Sequence, residues 1–144
     1  MFKHILFATD ATPACDGAGD AALQLAASFD SRLTVYTCLP EYEVSAFSEV
    51  MVEAPADFMQ RCEDDAKAYL STFVVRAAAR SLRCEARTSV NASPHVGIVE
   101  AVRECGCDLV VINSRVKRGL TGMFGIGEAQ RLLASSPVPV LAYR

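Results

Sequence analysis

The chain has 144 residues, of which 51% are hydrophobic and 22% are charged, and its formal net charge is −3. This length and apolar content predict a single domain, residues 1–144, with one core. The slightly negative charge argues against a nucleic-acid binder, because such proteins carry a basic surface. No apolar run reaches the roughly 18 residues of a membrane span, and the first residues lack a signal-peptide pattern. We therefore expect a cytoplasmic protein without a membrane partner.

Apolar residues recur in short runs, which are typical of buried strands, and between those runs at helical spacing. In chain order the patterns predict a strand at 4–10, a helix from about 18 to 29, a strand at 32–38, a long loop at 39–55, a helix from about 58 to 80, a strand at 84–90, a helix at 94–105, a strand at 108–113, a helix at about 127–135 and a strand at 138–144. Thr12 or Asp16 is predicted to cap the first helix, and Gly106 to end the third. This alternation predicts an α/β fold with a doubly wound, five-stranded parallel sheet and helices on both faces, as in Rossmann-like proteins.

In such folds, ligands bind at the carboxyl ends of the strands. Those ends carry Asp10, Cys38, Ser89 and Asn113. Asp10 is suited to bind a ribose, a metal or a partner amide. The alternative is that Asp10 and Thr12 only cap the first helix, since both residue types are common caps.

Several enzyme classes lack their characteristic residues at these positions. The third strand ends in TSVNAS, without the Asp of a phosphoaccepting receiver domain, and the chain has no G-x-x-x-x-G-K-[ST] phosphate loop. No glycine follows the first strand as in a dinucleotide binder, and no G-x-S-x-G motif is present. The two histidines, His4 and His95, have no partner that the sequence assigns. We therefore expect a protein that is not an enzyme.

The loop between the fourth strand and the last helix combines cations with glycines. Its cations are Arg115, Lys117 and Arg118, and its glycines are Gly119, Gly122, Gly125 and Gly127. A strand, a glycine-rich loop and a helix N-terminus together form an anion site. The alternative is a solvated basic loop without a ligand.

Three segments resemble the universal stress protein family: HILFATDATPACDGAGDAALQLA, CDLVVINSR and SSPVPVLAYR. The resemblance covers nearly the whole chain and implies the strand order 3-2-1-4-5 and a stress-response role that is usually not enzymatic. Some members of that family bind ATP or AMP. By resemblance, Asp10 would contact the ribose, Cys38 would form the adenine wall, and Thr12 lies at a further nucleotide-contact position.

The chain departs from the phosphate-binding pattern of those members, Gly-x-x-Gly-x(9)-Gly-[Ser/Thr]. Counted back from Pro139 without a gap, the pattern's positions fall on Asn113, Val116, Ile126 and Gly127. A shift by one residue places Gly127 at the third glycine but Glu128 at the hydroxyl position, and a carboxylate disfavours a neighbouring phosphate. We therefore expect weak or absent ATP binding. Gly125 and Gly127 in a displaced glycine nest, together with the three cations, are the residues that could still hold phosphate.

The predicted function is protein interaction by a homodimer, with no required cofactor and no metal, and with an unidentified protein partner. The last strand contains Pro139, which favours an edge position, and an open apolar edge pairs readily with another chain. The resemblance implies a two-fold contact there, so we expect the seam at residues 138–143, with Val140 and Ala142 or their alternates. The alternative function is an adenine-nucleotide (ATP or AMP) sensor or slow ATP hydrolase.

Six cysteines are scattered over the predicted elements, without a Cys-x-x-Cys motif. A reduced cysteine inside an apolar pattern behaves as a small hydrophobe. We therefore expect no stable intramolecular disulfide. The close pair Cys105-Gly-Cys107 is the exception at which a redox or metal role stays open.

Overall fold

The computed structural model describes residues 1–41, 54–114 and 127–144. The strands are β1 (His4–Ala8), β2 (Arg32–Leu39), β3 (Cys84–Val90), β4 (Leu109–Asn113) and β5 (Val140–Tyr143). The helices are α1 (Asp16–Phe29), α2 (Pro55–Ala78), α3 (Pro94–Cys105) and α4 (Glu128–Ser135), and a short 3-10 turn (Pro13–Cys15) precedes α1. Every predicted helix and strand is present, and the differences are confined to the ends of the elements.

The five strands form one parallel sheet in the order β3-β2-β1-β4-β5. This confirms the predicted fold class and strand order. Ile5 of β1 lies opposite Leu33 of β2 on one side and Leu109 of β4 on the other, which makes β1 the central strand. Because the order reverses direction at β1, the carboxyl ends of β1 and its neighbours form the crevice where ligands bind in such sheets.

Alternate residues of the strands build a separate core on each face of the sheet. On one face, α1 and α2 cover a cluster that includes Ile5, Phe7, Val35 and Val111 together with Leu23, Leu70 and Phe73. On the other face, α3 and α4 cover a cluster that includes Leu6, Ala8, Val110 and Ile112 together with Ile98, Val102 and Leu132. The central strands are buried on both faces, as expected for continuous apolar runs in a parallel sheet.

Several predicted boundaries and caps are corrected. Neither Thr12 nor Asp16 caps α1: the N-cap residue is Cys15, which makes no side-chain capping bond, and Thr12 lies ahead of the 3-10 turn. β1 ends at Ala8, because the chain turns at Ala11, which has a φ of +60°. β5 begins only at Val140, because Pro139 has no N–H to donate to the sheet. Most of the predicted loop at 39–55 lies outside the described residues.

Gly106 ends α3 as predicted, with a left-handed φ of +69°. A Cβ at that position would meet no atom within 4 Å, so the requirement for glycine is conformational and not steric. Within the described ranges, no helix combines the length and the apolar character that crossing a bilayer needs.

Candidate functional site

A cavity of about 360 Å³ opens at the carboxyl ends of β1, β2 and β3. Its walls come from the ends of those strands, from the first half of α2 and from the start of α3. They include Asp10, Cys38, Leu39, Cys62, Asp65 and Pro94. The volume falls in the range of small-molecule pockets. The cavity lies at the edge of the sheet formed by the carboxyl ends of the strands, where ligands bind in such folds, but on the β2 side of β1, with no residue of β4 in its walls.

Asp10 is held in one orientation on the cavity wall by the loop that follows β1. Its Oδ1 accepts hydrogen bonds from Thr12 N (3.0 Å), Thr12 Oγ1 (2.6 Å) and Cys15 Sγ (3.1 Å). Thr12 therefore orients Asp10. Both interpretations of the sequence apply in part: Asp10 organises the turn, as a structural residue would, and its carboxyl group also borders the cavity.

Cys38 forms a buried part of the same wall. Its side chain is 7% exposed, and its Sγ lies 3.5 Å from the carbonyl oxygen of Asn91. Burial raises the pKa of the Cys38 thiol, so it stays protonated at neutral pH and presents an apolar surface. The start of α3 packs close by at Gly97, where a Cβ would lie 2.6 Å from Tyr36 Oη and 3.1 Å from Cys38 Sγ.

Asn113, at the end of β4, is turned toward the loop that precedes α1. Its side chain is 7% exposed, and Nδ2 donates to the carbonyl oxygen of Ala14 at 2.8 Å. The same Nδ2 lies 3.8 Å from Cys15 Sγ, which in turn contacts Asp10. Cys15 thus joins the two predicted site residues, a role that no sequence motif indicated, because it depends on the packing of β4 against this loop.

The N-terminus of α4 carries a carboxylate that bonds to the neighbouring helix. Glu128 Oε2 accepts from His95 N (3.1 Å) and lies 2.9 Å from His95 Nδ1, while Oε1 accepts from Arg131 Nη1 at 2.9 Å. Partial burial opposes ionisation of Glu128, but the hydrogen bonds from His95 and Arg131 outweigh it and lower the pKa of this carboxyl group. The bond to His95 N satisfies an N–H in the first turn of α3, which has no partner within its own helix.

Gly127 is the N-cap residue of α4, with a φ of +103°. It offers no hydroxyl to a ligand, and the next side chain, Glu128, already bonds to α3. The other predicted residues of this loop, Arg115, Lys117, Arg118 and Gly125, lie outside the described residues.

The two histidines have structural partners that the sequence did not assign. His95 bonds to Glu128, and His4 is buried with its Nε2 2.8 Å from Thr34 Oγ1. Burial, together with the nearby Arg32, lowers the pKa of His4. Among the described residues, no group of three or more His, Cys, Asp or Glu side chains is arranged to hold a metal ion.

A family model described as the universal stress protein family matches residues 1–144. No match is found among the curated proteins. The resemblance stated from the sequence is thereby confirmed over the whole chain.

Three solved structures share the fold at low sequence identity. A universal stress family protein from Burkholderia pseudomallei is 23% identical, with a TM-score of 0.77, covering 98% of this chain and 95% of that one. Universal stress protein UspA from Lactobacillus plantarum is 17% identical, with a TM-score of 0.79, covering 99% and 97%. A universal stress protein from Archaeoglobus fulgidus in complex with dAMP is 19% identical, with a TM-score of 0.71, covering 99% and 98%. At these identities the likeness concerns the fold.

Proposed function

Because this chain belongs to the universal stress protein family, we propose that it acts in stress responses through protein interaction as a homodimer, and that it binds ATP weakly or not at all. It is not an enzyme under this proposal, and it works in the cytoplasm. Two features support the proposal: the carboxylate at the N-terminus of α4 and the apolar edge of β5.

The observation that carries the weak-ATP part is the position of Glu128. An N-terminal helix end attracts anions through its free N–H groups and its dipole. Here the chain's own carboxylate lies in the first turn of α4 and also bonds to His95 N at the start of α3. A phosphate brought to this place would meet a like charge whose low pKa keeps it ionised.

The dimer part of the proposal is supported by the exposed side chains of β5. Leu141 and Tyr143 are 38% and 39% exposed, and both belong to the edge strand that lies beside the buried strand β4. An uncovered apolar edge strand favours pairing with a second chain. Val140 packs against the core under α3 and α4. The seam would therefore use the exposed alternates Leu141 and Tyr143.

Calorimetry with Mg-ATP at physiological salt tests the proposal. We expect a Kd above roughly 100 μM, which corresponds to a binding free energy weaker than about −5.5 kcal/mol. Any binding at low salt should fade by about 0.3 M salt, and should be lost when Arg115, Lys117 and Arg118 are replaced together by Ala. A low-micromolar Kd that survives this triple substitution would contradict the proposal, because backbone amides of the loop would then be holding the phosphates.

The cavity favours a second candidate, an adenine-nucleotide sensor. Asp10 and Cys38, the residues that the family resemblance assigns to ribose and adenine, both line it. One relative of the same fold was solved in complex with dAMP. AMP binding in the low-micromolar range that is lost on Asp10→Ala and kept on Asp16→Ala would favour this candidate.

A further inference from the structure

Cys105 and Cys107 lie on either side of the left-handed Gly106, where α3 ends and the chain enters β4. Cys107 N donates to the carbonyl oxygen of Val102 at 3.0 Å, which fixes the turn. Both cysteine side chains contact the same hydrophobic cluster, the one covered by α3 and α4. Residues two apart near a helix end have Cα atoms about 5.5 Å apart, within the range of about 4.4–6.8 Å that disulfides span.

The two thiols have different surroundings. Cys105 is partly exposed, whereas Cys107 is 5% exposed. Arg87 reaches over from β3, and its Nη1 lies 3.1 Å from Cys105 Sγ. A cation at this distance can stabilise the negative charge that develops on the departing oxygen when the sulfur attacks a peroxide. Burial, with the neighbouring Cys105 as a lesser cause, raises the pKa of Cys107 to about 12, so the resting Cys107 is a thiol that gives up its proton only as it reacts.

Two nearby groups oppose the effect of Arg87 and therefore limit it. The same Nη1 lies 3.1 Å from Glu104 Oε2, so the guanidinium charge is shared with a carboxylate. The C-terminal carbonyl groups of α3 carry partial negative charge and also oppose the effect of the guanidinium on a developing negative charge. A groove of about 280 Å³, lined by Arg87, Glu104, Ser89 and Tyr36, opens beside the Arg87 guanidinium that contacts Cys105.

We propose that Cys105 and Cys107 form a reversible redox pair that responds to a hydroperoxide. In the first step, the Cys105 sulfur attacks the peroxide, the O–O bond breaks, and hydrogen peroxide is reduced to water as Cys105 becomes a sulfenic acid. In the second step, the Cys107 sulfur attacks the sulfur of that sulfenic acid, an S–S bond forms, and the hydroxyl leaves as water with the Cys107 proton. The peroxide accepts both electrons.

The small ring that closes around Gly106 constrains this disulfide, and a constrained disulfide is easily reduced. The resting protein therefore keeps both thiols, in accord with the free cysteines of the structure. The pair is distinct from the cavity at the carboxyl ends of the strands, because it lies beyond the opposite end of α3, next to the start of β4.

Hydrogen peroxide, followed by thiol alkylation, tryptic digestion and mass spectrometry, tests the proposal on the full chain. Cleavage after Arg103 and Arg115 gives one peptide, 104–115, that contains both cysteines and no other. We expect this peptide to lose two hydrogen atoms and to recover them with dithiothreitol. In Cys107→Ala, dimedone should label Cys105 as a sulfenic acid. Cys62, a partly exposed cysteine without a neighbouring cysteine in sequence, is the internal control and should react at least about threefold more slowly.

Two substitutions of opposite sign test the role of the charge. Arg87→Ala should slow the oxidation of Cys105 by roughly three- to tenfold. Glu104→Gln removes the carboxylate charge that competes for the Arg87 guanidinium, and it should accelerate the oxidation by a similar factor. Arg87→Lys keeps the charge and should stay close to the wild-type rate, which covers the case in which Arg87→Ala fails to fold. The proposal is overturned if the 104–115 peptide gains oxygen without forming the disulfide, if Cys62 reacts as fast as Cys105, or if the substitutions at Arg87 and Glu104 leave the rate unchanged.

Discussion

Replacing Glu128 by Gln removes the charge that joins α4 to α3 while it preserves the shape of the side chain. In the folded protein the Glu128 side chain is 13% exposed and both of its oxygens accept hydrogen bonds. Hydrogen bonds to a charged group contribute about 1.5–3 kcal/mol. The Arg131 side chain is 67% exposed, so its share is small. Allowing for partial exposure, we expect Glu128→Gln to lower the free energy of unfolding by about 1–2 kcal/mol, or Tm by several degrees.

The same substitution has a defined pH dependence. The folded-state pKa of Glu128 is lowered from the ordinary value of 4.5. A group whose pKa is depressed by folding contributes stability that is fully present above its unfolded-state pKa and is lost as the pH falls through its folded-state pKa. The difference between wild type and Glu128→Gln should therefore be complete at neutral pH and should shrink as the pH falls below that ordinary value.

Urea denaturation followed by circular dichroism at neutral pH and at a pH below 4.5 measures both effects. Glu100→Gln is the matched control, because Glu100 is an exposed carboxylate of α3, and its substitution should change stability by less than about 0.5 kcal/mol. Equal stability of wild type and Glu128→Gln at neutral pH would refute the assigned role of the carboxylate. A stability difference that persists undiminished at the lower pH would refute the electrostatic explanation, because the charge of Glu128 would then not be its cause.

Three further predictions follow from the fold. Leu141→Asp should convert the proposed dimer to a monomer in light scattering, whereas Val75→Asp, at a more exposed apolar position on α2, should not; a dimer that persists in Leu141→Asp removes β5 from the interface. Gly97→Ala should destabilise the protein by about 1–3 kcal/mol in urea, because its Cβ would press on Tyr36 and Cys38, and wild-type stability would show that α3 shifts freely. Thiol titration of protein prepared under argon and then denatured should count six free cysteines, and a count of four would contradict the absence of a resting disulfide.

The fold could be predicted from the sequence because its signals are local and repeated. Continuous apolar runs marked β1 and β4, helical spacing marked α2, and Pro94 with Gly106 marked both ends of α3. The errors came where the chain leaves this regularity. The turn at Ala11 ends β1 early. Its positive φ could not be predicted, because alanine rarely adopts that backbone conformation.

The candidate site was predictable only in part. That Asp10 and Cys38 would lie together could be predicted, because the ends of neighbouring strands meet at one edge of a parallel sheet, and this follows from the order of elements alone. Cys15 was missed, and the partnership of His95 with Glu128 was missed, because the helix ends concerned are 33 residues apart and meet only through the packing of α3 on α4. No periodicity in the sequence reports such a contact.

The residues that the family resemblance relates to the two parts of a nucleotide have different surroundings in this chain. At the half for base and ribose, the strand ends leave a cavity bordered by Asp10 and Cys38. At the two described ends of the predicted phosphate loop, the side chains bond to the protein itself: Asn113 bonds to the loop before α1, and Glu128 bonds to the first turn of α3. A ligand would thus gain from its nucleoside part and meet a carboxylate with its phosphates. Adenosine should consequently bind at least as well as ATP, the reverse of the order that a phosphate-binding loop would impose, so comparing the two ligands by calorimetry shows which half of the site determines the function.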